Sequence, residues 1–191
     1  MTARIPQAEP EWLDRARRGD MDAHARLYET FAPMVYTVAR RILASKTLAE
    51  DILQETFVEV IRKAGTWRGD AEFGFWVRRI AVNKCLMHLR SSWVTRRIDI
   101  DAEPPSPAPG AAEDGVALER ALIALSETAR VVVLLHDVEG YTHEEIGRLM
   151  GRTTSFSKSQ LARAHERLRD LLNDEPTDSE PLLCEPVLKI C

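Results

Sequence analysis

The sequence predicts an all-α protein made of two small helical domains joined by a Pro-rich acidic linker. Apolar residues recur at intervals of three and four along most of the 191 residues, and no strand-like alternation of any length interrupts them. This periodicity stops over residues 98–117, which include four prolines. We therefore expect an N-terminal domain at residues 1–97, a flexible linker at 98–117, a C-terminal domain at 118–172 and a cysteine-containing tail at 173–191.

The N-terminal domain is predicted to contain four helices. The first two are broken near Gly19, and Asp20 or Asp22 is expected to cap the second. Pro33 should kink or interrupt that second helix, because proline cannot donate the backbone hydrogen bond. The third helix, LAEDILQETFVEVIRKA, ends at Gly65 and turns an apolar set inward, namely Ile52, Leu53, Phe57, Val60 and Ile61. The fourth helix follows an aromatic turn and runs to about residue 92.

The aromatic turn is the most unusual stretch of the chain. WRGDAEFGFW, residues 67–76, places four aromatic rings and two glycines just ahead of a pair of arginines. Such rings either form a small core beneath a loop or provide a platform on which unstacked nucleic-acid bases rest. The residues alone leave both explanations open, although Phe73, Trp76 and Ile80 fit a core better than a contact surface.

Charge is segregated along the sequence, although the net charge is only -4. Residues 62–97 contain nine Lys and Arg against two acids, whereas residues 98–119 contain six acids and no base. Local field matters more than net charge for attracting a polyanion. A nucleic-acid partner is therefore compatible with the acidic average.

The C-terminal domain has the layout of a helix-turn-helix. Thr142 and Glu145 form a predicted capping box, and Gly151 is placed to open the turn between two helices. The second helix is predicted to start near Ser155 and to present Lys, Ser and Arg side chains outward. Side chains of this kind fit the major groove of DNA, although a helical hairpin with a solvated basic face explains the pattern equally well.

Other classes of protein are disfavoured by what the sequence lacks. No apolar run approaches the ~20 residues that span a bilayer, and the N-terminus has no secretory apolar region, so we expect a cytoplasmic protein without membrane insertion. Three cysteines, of which Cys85 fits a helical core, are too few for a disulfide framework. The His136-Asp137 pair is typical of metal phosphohydrolases, but His143 is the single further ligand nearby, so we do not expect an enzyme or a metal site.

Several motifs in one order resemble the sigma factors of bacterial RNA polymerase, and more narrowly the extracytoplasmic-function (ECF) group. They are AEDILQETF, then WRGDAEFGFWVRRIAVNKCLMHLR, the acidic linker, and LSETARVVVLLHDVEGYTHEEIGRLMG with SKSQLARAHERLR. The resemblance spans roughly residues 11–172. It implies that the N-terminal domain binds the polymerase clamp and melts the −10 element. It also implies that the C-terminal domain docks on the polymerase flap and reads the −35 element, that no cofactor is needed, and that an anti-sigma factor is a partner.

The resemblance also assigns roles to individual residues. Those implied to bind polymerase are Asp51, Gln54 and Glu55. Those implied to contact the −10 element are Trp67, Arg68, Asp70, Arg79, Asn83 and Arg90. Those implied to face the −35 element are Ser155, Phe156, Lys158, Ser159, Ala162, Arg163 and Arg167. Ser155, Phe156 and Ala162 depart from the usual family residues, so the promoter sequence cannot be carried over from relatives.

Two further questions remain open at this point. A stand-alone DNA-binding regulator that uses only the helix-turn-helix is the alternative function, although it has no use for AEDILQETF. The tail ends in CEPVLKIC, and Cys184 and Cys191 are either incidental, a redox or soft-metal switch, or part of an apolar docking segment. Two thiolates alone make an incomplete zinc site.

Overall fold

A computed structural model of the chain describes residues 5–69, 71–96 and 117–173, except for the side chains of residues 92 and 94–96. Every regular element in these ranges is helical, as the sequence predicts. None of the helices in the described ranges is both long and apolar enough to cross a membrane. Asp70, Cys184 and Cys191 lie outside the described residues.

Four helices form the N-terminal domain, namely α1 (Pro10–Arg17), α2 (Met21–Leu43), α3 (Lys46–Lys63) and α4 (Phe73–Arg96). A 3-10 turn over Ala64–Thr66 ends α3, and an irregular loop leads from it to α4. Asp20 caps α2 by accepting hydrogen bonds from the backbone N–H groups of Asp22 and Ala23. The four helices enclose a core that includes Leu27, Phe31 and Val77.

The structure corrects two expectations for these helices, the interruption at Pro33 and the burial of Ile61. Helix α2 continues through Pro33, which lies on its exposed side, where water can satisfy the backbone group that proline leaves without a partner. Ile61 is 45% exposed rather than buried. The buried stripe of α3 instead passes through Ile52, Thr56 and Val60, and Ile61 falls beside it.

The C-terminal domain contains α5 (Ala117–Ala124), α6 (Glu127–Val133), α7 (His143–Met150) and α8 (Thr154–Asn173). A π-helical turn over Leu134–Val138 extends α6. Ser126 caps α6, and α7 and α8 form the helix-turn-helix. Helix α8 packs on α5, α6 and α7.

The two domains are packed against each other and share one hydrophobic cluster. Ile42 of α2 and Val82 and Cys85 of α4 belong to the same cluster as Leu135 and Ile146 of the C-terminal domain. The sequence pattern indicates two separate domains and gives no warning of this contact, because each apolar stripe is already explained by packing within its own domain.

Candidate nucleic-acid and polymerase interfaces

The aromatic loop, which joins α3 to α4, is organised around the Trp67 ring. This ring meets Phe73 edge to face at a centroid distance of 5.3 Å, and its Nε1 donates a hydrogen bond to the Ala71 carbonyl oxygen at 3.2 Å. Gly69 adopts a φ of +83°, which favours glycine. Phe73 is buried, as expected, and anchors the loop from beneath.

A cleft of about 730 Å³ opens beside this loop. Arg79 is exposed and Asn83 is partly buried on the α4 side of the cleft. Aromatic side chains also border it, and Phe75 is the most open of them at 53% exposure. The residues assigned to the −10 element that line the cleft are Trp67, Arg68, Arg79 and Asn83.

Arg90 is separate from the other candidate −10 residues. It is exposed on α4 two helical turns beyond Asn83, at ~1.5 Å of rise per residue. It does not line the cleft. The three residues share a side of the helix, but only Arg79 and Asn83 lie next to the aromatic loop.

The opposite wall of the cleft comes from the C-terminal domain. Glu139, Tyr141 and Glu145 lie along it. Nη2 of Arg78 donates to Oε1 of Glu139 at 2.6 Å, and Nε of Arg78 lies against Oε2. Burial, together with the charge of Glu139, raises the pKa of Tyr141 above its ordinary value. In this arrangement the carboxylates of Glu139 and Glu145 face Arg78 and Arg79 of α4.

Sequence reasoning missed Arg78, although the pattern contains its signal. Counting along α4, Arg78 falls on the same stripe as Val82, Cys85 and Leu89, all of which are buried. A charged residue on an apolar stripe needs a partner of opposite charge when it is buried. Glu139 of the other domain is that partner.

The candidate polymerase-binding residues lie together on α3. Asp51, Gln54 and Glu55 are exposed and line a groove of about 540 Å³ between α3 and α4. Nζ of Lys84 lies 3.4 Å from an Oε2 oxygen of Glu55 and forms the facing wall. The groove therefore presents an acidic and amide edge, and its lining also includes the cations Lys84 and Arg62.

Helix α8 separates a buried side from an exposed one. Ser157, Gln160, Leu161, Ala164 and Leu168 are buried. The candidate −35 residues on the other side are Ser155, Lys158, Ser159, Ala162, Arg163 and Arg167, all of them exposed. Phe156 is partly buried instead, with the Arg152 guanidinium 5.7 Å from its ring centroid, so it packs at the turn.

Contacts at both ends of α7 fix its position against α8. At the start of α7, Thr142 and Glu145 form the predicted capping box, and the hydrogen bonds from Thr142 lower the pKa of Glu145. Gly147 lies so close to the start of α8 that a Cβ atom there would be 2.9 Å from the Arg152 carbonyl oxygen. Gly151 ends α7 with a φ of +66°. These contacts present α8 in one orientation.

A histidine cluster lies between the π turn, α7 and α8. Asp137 Oδ1 lies 2.8 Å from His136 Nδ1, and Asp137 Oδ2 lies 2.6 Å from His165 Nε2. The His136 and His143 rings stack at 4.4 Å, and Nδ1 of His143 lies 3.0 Å from the buried Ser157 hydroxyl. Burial raises the pKa of Asp137, but hydrogen bonds from the two histidines outweigh it and leave the pKa below its ordinary value.

The sequence missed His165 as a member of this cluster, because it lies 28 residues after Asp137. No set of three or more His, Cys, Asp or Glu side chains within the described ranges is arranged to hold a metal ion. The cluster instead links the π turn to α7 and α8.

Comparison with known proteins follows the same division of the chain. Residues 27–95 match Sigma-70 region 2, and residues 115–168 match Sigma-70, region 4. The sequence is 34% identical to RNA polymerase sigma factor CarQ of Myxococcus xanthus over 167 residues, which cover 85% of this chain and 96% of CarQ. The chain belongs to the ECF RNA polymerase sigma factors.

A second relative supports the same membership. ECF RNA polymerase sigma factor SigM of Mycobacterium tuberculosis H37Rv is 31% identical over 88% of this chain and 87% of its own. Sigma-70 regions 2 and 4 bind the promoter −10 and −35 elements and direct transcription initiation. This ECF sigma factor is therefore a transcription initiation factor.

The fold also agrees with solved structures. Sigma factor RpoE, in its complex with the anti-sigma factor NepR from Bartonella quintana, is similar with a TM-score of 0.52 and 21% identity. The match covers 79% of this chain and 97% of RpoE. CnrH in complex with the cytosolic domain of CnrY is similar with a TM-score of 0.50 and 20% identity, over 86% and 97% of the two chains.

Proposed function

We propose that this ECF sigma factor opens promoters with the aromatic loop and the first turns of α4, and reads upstream duplex DNA with α8. The observation that carries the proposal is the cleft in which aromatic rings lie beside Arg79 and Asn83. Aromatic rings stack on bases of any sequence, while arginine and amide groups bind phosphates and base edges. A single strand needs both kinds of contact at once.

The chemistry at the −10 element is base capture rather than catalysis. Extruding a base costs a few kcal/mol, and each aromatic stack returns ~1–3 kcal/mol. Trp67 and Arg68 form the rim of the loop, and Arg79 and Asn83 continue from it along α4. Arg90 extends the path towards the end of the helix. Asp70, to which the family resemblance assigns the same role, is proposed as a further contact of this element.

At the −35 element, the exposed side of α8 enters the major groove. Lys158 binds a phosphate, Arg163 and Arg167 bind phosphates or guanine, and Ser159 donates or accepts at a base edge. Ala162 leaves room for a thymine methyl group. Phe156 contributes by packing at the turn, because its ring is partly buried.

Polymerase contact is the role of α3. Asp51, Gln54 and Glu55 form an exposed edge that a basic partner surface complements. Lys84 neutralises part of this edge in the free protein, since its Nζ lies near Glu55. We propose that the polymerase clamp binds along this groove and the flap binds the C-terminal domain.

The packed arrangement of the two domains describes the factor before it engages DNA. Glu139 and Glu145 line the cleft that Arg79 and Asn83 share. The C-terminal domain forms the opposite wall of this cleft, and the Glu145 carboxylate there would repel phosphates, so a single strand reaches α4 only after that domain has moved away. We propose that polymerase binding separates the domains.

A partner that holds the two domains together would keep this factor from binding promoter DNA. The RpoE structure contains an anti-sigma factor. We propose that this chain, too, has an anti-sigma partner, that it works in the cytoplasm beside core polymerase, and that it catalyses no reaction of its own. The tail residues Cys184 and Cys191 remain a proposed redox or metal switch.

The test combines promoter mapping with reconstitution. Transcription starts that appear on overexpression of the chain identify its promoters, and purified chain with core polymerase should then transcribe from them. Free chain should shift promoter DNA weakly, and chain with core polymerase should shift it strongly. Tight duplex binding by the free chain, with no transcription when core polymerase is added, would favour the stand-alone regulator.

A further inference from the structure

The N-terminal segment, residues 5–18, lies against the aromatic loop and precedes the residues that match Sigma-70 region 2, which begin at residue 27. It includes α1 and the extended residues before it. None of the −10 assignments involves this segment. Its contacts nevertheless reach both ends of the loop.

At the first end, Arg17 of α1 holds Trp67. Nη2 of Arg17 donates to the Trp67 carbonyl oxygen at 2.9 Å, and the guanidinium carbon lies 5.0 Å from the Trp67 ring centroid. Nη1 of Arg17 donates to Oδ1 of Asp14 at 3.0 Å. The planar guanidinium thus has one arm fixed on α1 and the other on the loop, a geometry that a lysine cannot reproduce.

At the second end, Ile5 and Pro6 cover the start of α4. A Cβ atom at Gly74 would lie 2.5 Å from Cγ2 of Ile5 and 2.7 Å from the Pro6 carbonyl oxygen. Any larger residue at position 74 would therefore displace the segment. Gln7 is next to the loop as well, with its Nε2 3.5 Å from Oε1 of Glu72.

We propose that Arg17 is a positioning residue for promoter opening, acting through Trp67. Trp67 lines the cleft, and Arg17 restrains both its backbone and its ring from outside. A loop that is already ordered does not lose conformational freedom when it captures a base. This role rests on the proposed function of the loop in melting the −10 element.

The test compares Arg17→Ala with Arg18→Ala. Arg18 is the matched control because it is an exposed arginine that neighbours Arg17 at the C-terminal end of α1. Each variant is assembled with core polymerase on a promoter mapped for the wild-type chain, and unpaired bases are followed with a fluorescent base analogue. Arg17→Ala should slow opening on the order of tenfold with unchanged polymerase affinity, while Arg18→Ala stays within about twofold of wild type. Arg17→Lys should recover only part of the loss.

A premelted promoter separates positioning from folding. On a template whose −10 region is already unpaired, the Arg17→Ala defect should shrink. Amide hydrogen exchange in residues 67–74 of the free variant should be faster than in wild type. In a double variant with Trp67→Ala, the second substitution should add little, because contacting residues are coupled.

Three results would overturn the role of Arg17. These are equal effects of Arg17→Ala and Arg18→Ala, a parallel loss of polymerase affinity, and a defect that persists unchanged on the premelted template. If wild-type chain with core polymerase opened no promoter, the proposed function itself would fail. The two failures are distinguishable because the first requires an active wild-type factor.

Discussion

Arg78 and Glu139 form an ion pair across the domain boundary, and their side chains are only 9% and 7% exposed. The arginine comes from the −10 helix α4, and the glutamate directly follows the π turn of the C-terminal domain. Two charges that are buried in this way are stabilising only while they remain paired with each other. The pair therefore links the position of the C-terminal domain to the helix that we propose melts the promoter.

Glu139→Ala should weaken the domain contact by about 3–5 kcal/mol, because the substitution leaves the Arg78 guanidinium buried and unpaired. The variant should relieve this cost by opening, which small-angle scattering would detect as a larger radius of gyration. Glu144→Gln is the matched control, since it removes an exposed pair with Arg148 and should cost less than about 1 kcal/mol. Equal compactness of Glu139→Ala and wild type would contradict the prediction.

Arg79→Ala and Asn83→Ala should each impair promoter opening more than polymerase binding. Hydrogen bonds to charged groups contribute about 1.5–3 kcal/mol, so the loss for Arg79 should be on the order of tenfold to a hundredfold in the opening equilibrium. Opening is followed by permanganate reactivity of unpaired thymines, and polymerase binding by fluorescence anisotropy. A parallel fall in both would mean that the aromatic turn is a core feature and not a platform for bases.

Lys158→Ala should weaken −35 binding by holoenzyme on all sequences alike and reduce the salt dependence of that binding. Loss of one phosphate contact lowers the slope of log K against log salt by ~0.9. Filter binding over a salt series gives this slope. Arg26→Ala removes a positive charge from α2 and should leave the slope unchanged; an identical change in both variants would count against a phosphate contact by Lys158.

Acidification should destabilise the C-terminal domain through His143. Burial and the electrostatic effects of His136 and Lys158 lower the pKa of His143 below its ordinary value of 6.5, and the charge of Asp137 offsets this only in part. The unfolded chain then binds more protons than the folded one, so this contribution is fully present above about pH 6.5 and is lost as the pH falls below it.

Thermal unfolding between pH 7.5 and 5.5 provides the measurement. The midpoint should fall with pH in wild type and fall less in His143→Gln, which cannot become charged. Asp137 contacts His136 and His165 in both proteins, so the difference between the two curves reports on His143 together with its interaction with the stacked His136 ring. Superimposable pH dependences would show that His143 does not contribute.

Cys85 should report on the domain contact. Burial raises the pKa of this thiol to about 12 from an ordinary 9.0, with a smaller contribution from the charge of Glu139. In a Cys184→Ser/Cys191→Ser variant, alkylation of native chain at pH 8 should be slower than in the unfolded chain by on the order of a thousandfold, since the thiolate reacts. Core polymerase should accelerate it if binding separates the domains.

Much of the fold follows from local sequence signals. Asp20, Ser126 and the Thr142–Glu145 box start their helices because their side chains satisfy backbone N–H groups that are only two or three residues away. The exposed side of α8 follows in the same way from helical spacing. Both kinds of inference need no knowledge of what lies elsewhere in the chain.

Most of what the sequence did not predict involves residues far apart in the chain. Arg78 meets Glu139 across 61 positions, and Arg17 meets Trp67 across 50. Charged residues are so often exposed that their partners are found only once the helices are placed. The exposure of Ile61 has a similar origin, because the direction of α2 and α4 decides which stripe of α3 is covered.

Arg130 gives the domain contact a further property. Its guanidinium is buried and donates from Nε to the Ile42 carbonyl oxygen near the end of α2, and from Nη1 to the Ile123 carbonyl oxygen of its own domain. Ile42 lies in the last turn of its helix, where water can take the place of the arginine when the domains part. Arg130 can likewise regain hydration on that side while keeping its bond to Ile123. The contact between the domains is therefore reversible, because it can open and re-form without leaving a buried polar group that lacks a hydrogen-bond partner.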